Sequence, residues 1–226
     1  MKRNCLSCAS RSPIFDSLTS DELELVNRKR FRLKFNPSEI VRKQGAYLSH
    51  VIFVTEGLVS IYIEGYDDRN LILKIVKPGQ FISGPGMFVD RRHHYTVKAH
   101  LPTEACFVEV ETIKGLIHTN PVFASDFFRD FSKNMLINYS RLINLSQRYV
   151  PGRMAEALIY LSEEVFGSRV FESILSSREL GALAGMSCDS VLKTLREFRS
   201  SGIIAQNGNQ FEILNPGALK KISMTG

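Results

Sequence analysis

Ser176-Ser-Arg-Glu-Leu-Gly-Ala-Leu-Ala-Gly-Met-Ser-Cys-Asp-Ser-Val191 is the most informative stretch of this chain. Ser176 followed by Glu179 is an S-x-x-E capping box, and it predicts a helix with Leu180, Leu183 and Ala184 on one face. Gly185-Met186-Ser187 ends that helix, and Ser187 caps a second. There Val191, Leu195 and Phe198, at i, i+4 and i+7, form the buried stripe. Cys188, Asp189, Leu192, Lys193 and Arg196 are thereby left on the outer face. Two short helices joined by a tight glycine-containing turn predict a helix-turn-helix, whose second helix enters the major groove of DNA. Downstream, the apolar runs from Ile203 and from Gln210 flank Asn207-Gly208-Asn209. Asn-Gly between such runs is a strong hairpin signal, and a hairpin here is a wing.

Upstream of this module, Pro151-Gly152 interrupts the helical pattern, and a new helix is expected from Arg153 to about Phe166. Before the interruption, Val122 to Tyr149 contains neither Gly nor Pro. Phe128, Phe131, Met135, Asn138, Leu142, Leu145 and Tyr149 alternate by three and four, the a/d spacing of a coiled-coil seam. A second stripe, Phe127, Leu136, Tyr139 and Ile143, is expected to face a neighbouring domain. Helices of globular domains average only about 11–12 residues, so a helix of this length with two apolar faces predicts the spine of a homodimer. The seam residues are Phe128, Phe131, Met135, Leu142 and Leu145.

From Ile40 to Val110 short β-rich runs recur, broken by Gly, Pro or Asp. They begin at Val51, Leu58, Leu71, Tyr95 and Ala105. Spacings of about 8–15 residues predict an antiparallel sandwich or barrel, with turns at Gly45, Glu56-Gly57 and Pro78-Gly79. Ahead of it, Ser20 with Leu23, Leu25 and Val26 predicts a short capped helix. The expected class is α+β: an N-terminal jelly-roll sensor domain over 1–120, a dimerisation helix over 121–150 and a winged helix-turn-helix over 151–226.

Composition is compatible with this and decides little. The chain has 226 residues, is 44% hydrophobic and 23% charged, and has the balance of a soluble globular protein. It has no apolar run of membrane-span length and no apolar stretch behind Lys2 and Arg3, so a cytoplasmic protein is expected. The net charge is +6, but residues 1–150 carry 21 Lys and Arg against 15 Asp and Glu, while 151–226 carry 8 against 8. The basic excess lies outside the DNA-reading module, so DNA binding rests on pattern rather than charge. Four cysteines are too few for a disulfide scaffold and fit a reducing compartment.

These features together resemble the CRP/FNR superfamily, dimeric bacterial transcription regulators with a cyclic-nucleotide-binding-type β-roll and a winged helix-turn-helix. The glycine spacing at Gly45, Gly57 and Pro78-Gly79, the run Val150-Pro-Gly-Arg-Met-Ala and the stretch from Ser176 to Val191 carry the resemblance, which spans about residues 14–222. It implies that the chain binds a palindromic operator in double-stranded DNA as a homodimer. RNA polymerase and an effector or redox signal are the further partners implied. The family's base-reading positions fall on Cys188, Asp189 and Lys193. Asp accepts from cytosine N4 and Lys donates to guanine, without the bidentate arginine fork. Ser176, Ser177 and Arg178 match the family's phosphate-contacting cap.

For the sensor, the nucleotide-binding branch uses a glutamate and an Arg-Ser pair after the Pro-Gly turn. Here Gly84 stands at the glutamate position and His94 and Tyr95 at the Arg-Ser positions, with Arg91 and Arg92 displaced nearby. Cyclic AMP is therefore not expected. The fumarate-nitrate branch holds an iron-sulfur cluster on an N-terminal cysteine trio and one distant cysteine; Cys5, Cys8 and Cys106 match three of these, and the fourth is missing. The cofactor stays open between a cluster, zinc, a thiol redox role and inert cysteines. Two alternatives share parts of the pattern: a cupin-like metal enzyme using His93, His94, His100, Glu104 and His118, and an adaptor of cyclic-nucleotide-binding type that does not bind DNA.

Overall fold

The computed structural model describes residues 8–226, and packing divides the chain into two units: residues up to 64 with 74–136, and 65–73 with 137–226. The long helix is thus no separate segment. Its first half belongs to the β unit and its second half to the C-terminal unit.

In the first unit, α1 (Ser20–Arg28) is capped one residue earlier than expected. The Thr19 hydroxyl accepts from Glu22 N, and the Glu22 carboxylate accepts from Thr19 N at 2.8 Å. Leu23 and Val26 are buried, whereas Leu25 turns outward because it lies off their stripe. Eight strands follow: β1 (Arg30–Phe35), β2 (Ile40–Arg42), β3 (His50–Glu56), β4 (Val59–Ile63), β5 (Leu71–Val76), β6 (Phe81–Ile82), β7 (Thr96–Ala99) and β8 (Thr103–Glu109). They form two four-stranded sheets, ordered β1-β8-β3-β6 and β2-β7-β4-β5. The five expected runs are β3, β4, β5, β7 and β8. The sequence Arg-Phe-Arg-Leu-Lys-Phe of β1 escaped notice because an edge strand alternates charge with apolar residues, which protects the exposed edge.

Phenyl rings lead from the N-terminal segment through the sheet to the long helix. Phe15 meets Phe53 at 4.6 Å between centroids, Phe53 meets Phe81 at 5.5 Å, and Phe81 meets Phe127 at 5.7 Å. Buried aromatic pairs of this kind contribute about 0.5–1.5 kcal/mol each beyond their burial. A helix not foreseen in the sequence, α2 (Val110–Thr119), leads into α3 (Pro121–Gln147), which begins at a proline in its first turn. Asn120 fixes that start. Its Oδ1 accepts from Phe123 N, and its Nδ2 donates to Ser17 O and to the Glu22 carboxylate.

In the second unit, α3 ends at Gln147 rather than Tyr149, and α4 (Val150–Ile159) begins before Pro151. Pro151 and Gly152 therefore open a helix instead of breaking one, since the first turn has no helical donor to lose. Gly152 is buried, and a Cβ there would collide with the carbonyl of Gly226 at the end of α7 (Pro216–Thr225), a helix the sequence reading did not foresee. A π-helical turn, Tyr160–Phe166, extends α4. Then come β9 (Val170–Glu172), α5 (Ser177–Ala184), α6 (Cys188–Ser200), β10 (Ile204–Asn207) and β11 (Gln210–Ile213). The hairpin β10-β11 is joined by β9, with Phe166, Phe171 and Phe211 stacked at 5.1 and 5.7 Å. In its two-residue loop only Gly208 has positive φ, 58°, the first-position pattern of a type II′ turn.

Candidate nucleic-acid interface and sensor interior

The helix-turn-helix is built by its caps. The Ser176 hydroxyl accepts from Glu179 N while the Glu179 carboxylate accepts from Ser176 N at 2.9 Å, and Ser187 Oγ accepts from Ser190 N at 3.2 Å. Each cap is worth about 1 kcal/mol. Between them Gly185 ends α5 in the left-handed region, with φ 66° and ψ 43°. Val191, Leu195 and Phe198 are buried as expected, and Thr194 joins them. That leaves Asp189, Leu192, Lys193 and Arg196 exposed on α6, with Cys188 half-buried at its first turn and Ser187 exposed at its cap. Asp189, Lys193 and Arg196 engage in no ion pair among the described residues. Ser176 and Arg178 are exposed at the start of α5, with Ser177 half-buried between them. The tip of the expected wing, Asn207 to Gln210, is exposed as well.

The spine residues are placed less uniformly than the heptad suggests. Phe128, Met135 and Leu142 are 53%, 40% and 62% exposed, and Phe131 is half-buried. Leu145 instead lies against Gly185 of the helix-turn-helix turn. The second stripe does not cover a neighbouring domain: Phe127 is buried, but Leu136, Tyr139 and Ile143 are exposed. Lys74 of β5 still reaches Asn134 of α3 at 2.8 Å, but Leu136, Tyr139 and Ile143 beyond it stand in solvent.

In the β unit the structure does not gather the residues proposed for an effector pocket. Gly84 and Tyr95 meet, since a Cβ on Gly84 would touch the Tyr95 ring and hydroxyl. Arg91 turns out to Glu111 at 2.7 Å and to the Tyr47 hydroxyl, Arg92 donates to Gly45 O at 2.9 Å, and His94 meets Asp90 at 3.1 Å. The inward residue is His93, which is 2% exposed and lies 6.2 Å from Tyr95 between ring centroids. Neither ring nitrogen of His93, nor the Tyr95 hydroxyl, has a hydrogen-bond partner among the described residues. Burial, helped by the nearby Arg42 charge, pushes the His93 pKa down to about 4, and burial raises that of Tyr95. His93 lies just ahead of a bend at His94 and Tyr95 rather than in a strand, so no period in the sequence distinguishes it from His94.

Cys5 lies outside the described residues. Cys8 and Cys106 are brought to one neighbour, Arg32. Arg32 Nη2 donates to Cys8 Sγ at 3.7 Å, Cys106 stands opposite Arg32 in the β1–β8 register, and Arg32 pairs with Glu104 at 2.8 Å. Among the described residues no three His, Cys, Asp or Glu side chains cluster as a metal site. The residues of the alternative metal-enzyme pattern are likewise engaged elsewhere: His100 bonds Ser60 Oγ at 2.8 Å, and Glu104 is taken by Arg32.

A β-roll joined through a long helix to a winged helix-turn-helix with a solvent-facing second helix defines a DNA-binding transcription regulator. Two family models match: a cyclic nucleotide-binding domain over residues 32–120 and a Crp-like helix-turn-helix domain over residues 152–222. The transcriptional regulator SdrP of Thermus thermophilus is 26% identical over 175 residues, 75% of this chain and 82% of its own. The cAMP-activated global transcriptional regulator CRP of Salmonella typhimurium is 20% identical over 179 residues, 77% of this chain and 85% of its own. The structure of FixK2 from Bradyrhizobium japonicum matches with a TM-score of 0.78 at 17% identity, covering 87% of this chain and 98% of that one. The chain belongs to the CRP/FNR superfamily of transcription regulators. Among the described residues no helix is long and apolar enough to cross a membrane.

Proposed function

We propose that the chain acts in the cytoplasm as a homodimer that reads a palindromic operator through α6, with RNA polymerase as a further partner and the β-roll as the effector sensor. The observation that carries this reading is the outward face of α6, where Asp189, Lys193 and Arg196 are exposed and uncommitted while Val191, Leu195 and Phe198 anchor the helix. Asp189 and Lys193 read bases, and Cys188, Leu192 and Arg196 flank them. Ser176, Ser177, Arg178 and Ser187 hold phosphate at two helix N-termini. Exposed Phe128, Met135 and Leu142, half-buried Phe131 and the flanking Leu136, Tyr139 and Ile143 form an apolar surface of the kind that partners cover. With Leu145 seated on Gly185, the seam is carried by the first four of its five expected residues.

The effector is not cyclic AMP. An anion in a pocket needs compensating donors, and Arg91 and Arg92 point outward. The interior offers His93 and Tyr95, both uncharged at neutral pH, in place of a guanidinium.

In vitro selection of operator sequences by the full chain and by its variants tests the DNA reading. Lys193→Ala should cost about 1–3 kcal/mol and relax preference at one base pair, whereas Arg178→Ala should weaken all sequences alike and lower the salt slope by about 1. If Lys193→Ala lost affinity uniformly with the selected motif unchanged, the wrong face of α6 would have been assigned.

A further inference from the structure

Leu183 carries one of the carbonyls that α5 leaves without a helical donor at its C-terminal end. The guanidinium of Arg141, from the second half of α3, takes it up: Nη2 donates to Leu183 O at 2.6 Å. A cation there also complements the negative end of the α5 dipole. Arg141 is only partly exposed, and its Nε has no partner among the described residues. An apolar side chain could cover this helix end but would leave Leu183 O without a donor, so the cost of burying a charge here is set against a directed hydrogen bond. What the guanidinium adds is direction.

One turn further along the same face of α3, Leu145 covers Gly185, where any Cβ would collide with its methyl. Two residues of α3 therefore grip both sides of the turn from which α6 departs. Ser187 caps α6 two residues later, and Cys188 and Asp189 follow at once.

We propose that Arg141 and Leu145 are positioning residues that fix α6 to the spine helix and thereby set the half-site spacing that the dimer reads. The inference rests on the assignment of α6 as the DNA-reading helix and of α3 as the spine. In a two-fold dimer built on α3, whatever ties α6 to α3 also fixes the separation of the two α6 helices. That separation must match about one turn of DNA, roughly 34 Å. A loosened tie lets each α6 still read its own half-site but tolerate altered separations.

The test uses the full-length dimer and the palindrome it selects, in a series of duplexes with one or two base pairs inserted between the half-sites or removed. Wild type should discriminate sharply among them. Arg141→Ala and, separately, Leu145→Ala should each lose about tenfold of that discrimination, the scale of one charge-assisted hydrogen bond, with the base preference inside each half-site kept. Arg141→Lys, which retains a donor for Leu183 O, should recover part of it. The ratio between spacers is taken within one folded protein, so partial unfolding lowers all affinities and leaves it unmoved. Unchanged spacer discrimination in both alanine variants, or a loss equal for all spacers, overturns the proposal. A wild type that selects no palindrome overturns the assignment of α6 and this inference with it, so the two failures are told apart.

Discussion

Gly185→Ala tests how tightly the helix-turn-helix turn is seated. At φ 66° and ψ 43° an alanine must adopt the left-handed conformation, which costs about 1–2 kcal/mol for a residue with a Cβ. The new methyl would also overlap Leu145 Cδ2, and turning that half-buried side chain out of its rotamer costs about 0.5–1.5 kcal/mol more. The substitution should therefore destabilise the C-terminal unit by about 1.5–3.5 kcal/mol. Only the second contribution depends on Leu145. In a Leu145→Ala background the overlap is gone, and Gly185→Ala should cost about 1–2 kcal/mol, leaving a coupling of about 0.5–1.5 kcal/mol between the positions. Urea unfolding followed by circular dichroism, on all four proteins at one protomer concentration, gives the cycle directly. If Gly185→Ala cost the same in both backgrounds, Leu145 would not occupy the turn, and its assignment would return to the dimer seam.

A Met135→Glu, Leu142→Glu double variant should sediment as a monomer, because an unpaired carboxylate in an apolar seam costs several kcal/mol; a surviving dimer would place the interface elsewhere. His93 stays neutral in the folded chain down to about pH 4, while the unfolded chain protonates it near 6.5, so its effect on stability is absent above that value and grows as pH falls between the two. The loss should approach 3 kcal/mol at about pH 4 and disappear in His93→Phe, measured by denaturant titrations across that range; equal slopes in the two proteins would remove His93 from the interior. Calorimetry with cyclic AMP should show no micromolar binding, and a clear isotherm would require a cationic donor that the outward Arg91 and Arg92 do not supply.

Much of the C-terminal unit is legible in the sequence because its signals are local. Ser176 and Glu179 cap each other across three residues, Ser187 reaches Ser190 over the same distance, and Gly208-Asn209 closes a hairpin between its own neighbours. Such bonds form wherever the short motif occurs, so the residues alone predict them. Periodicity likewise found α3 and the buried stripe of α6, because a helix repeats its own geometry. The β-roll is legible as a run of strands; its edge strand β1 is not, since it mixes charged with apolar residues, and neither are β2 and β6, whose three and two residues are too few to show a period.

What α3 touches was decided only by tertiary structure. A heptad pattern says that Leu145 is apolar and faces the same way as Met135 and Leu142, yet it cannot say that the turn at Gly185 reaches it first. The same holds for Arg141 and Leu183, 42 residues apart, and for Arg32 with Cys8 and Cys106, which lie on three separate segments. His93 and His94 are neighbours of one type, and only the pairing of the following strand gives the first to the interior and the second to Asp90. Local motifs carry their partners within a few residues, whereas these contacts depend on how elements distant in the chain pack together, and that is a property of the whole fold.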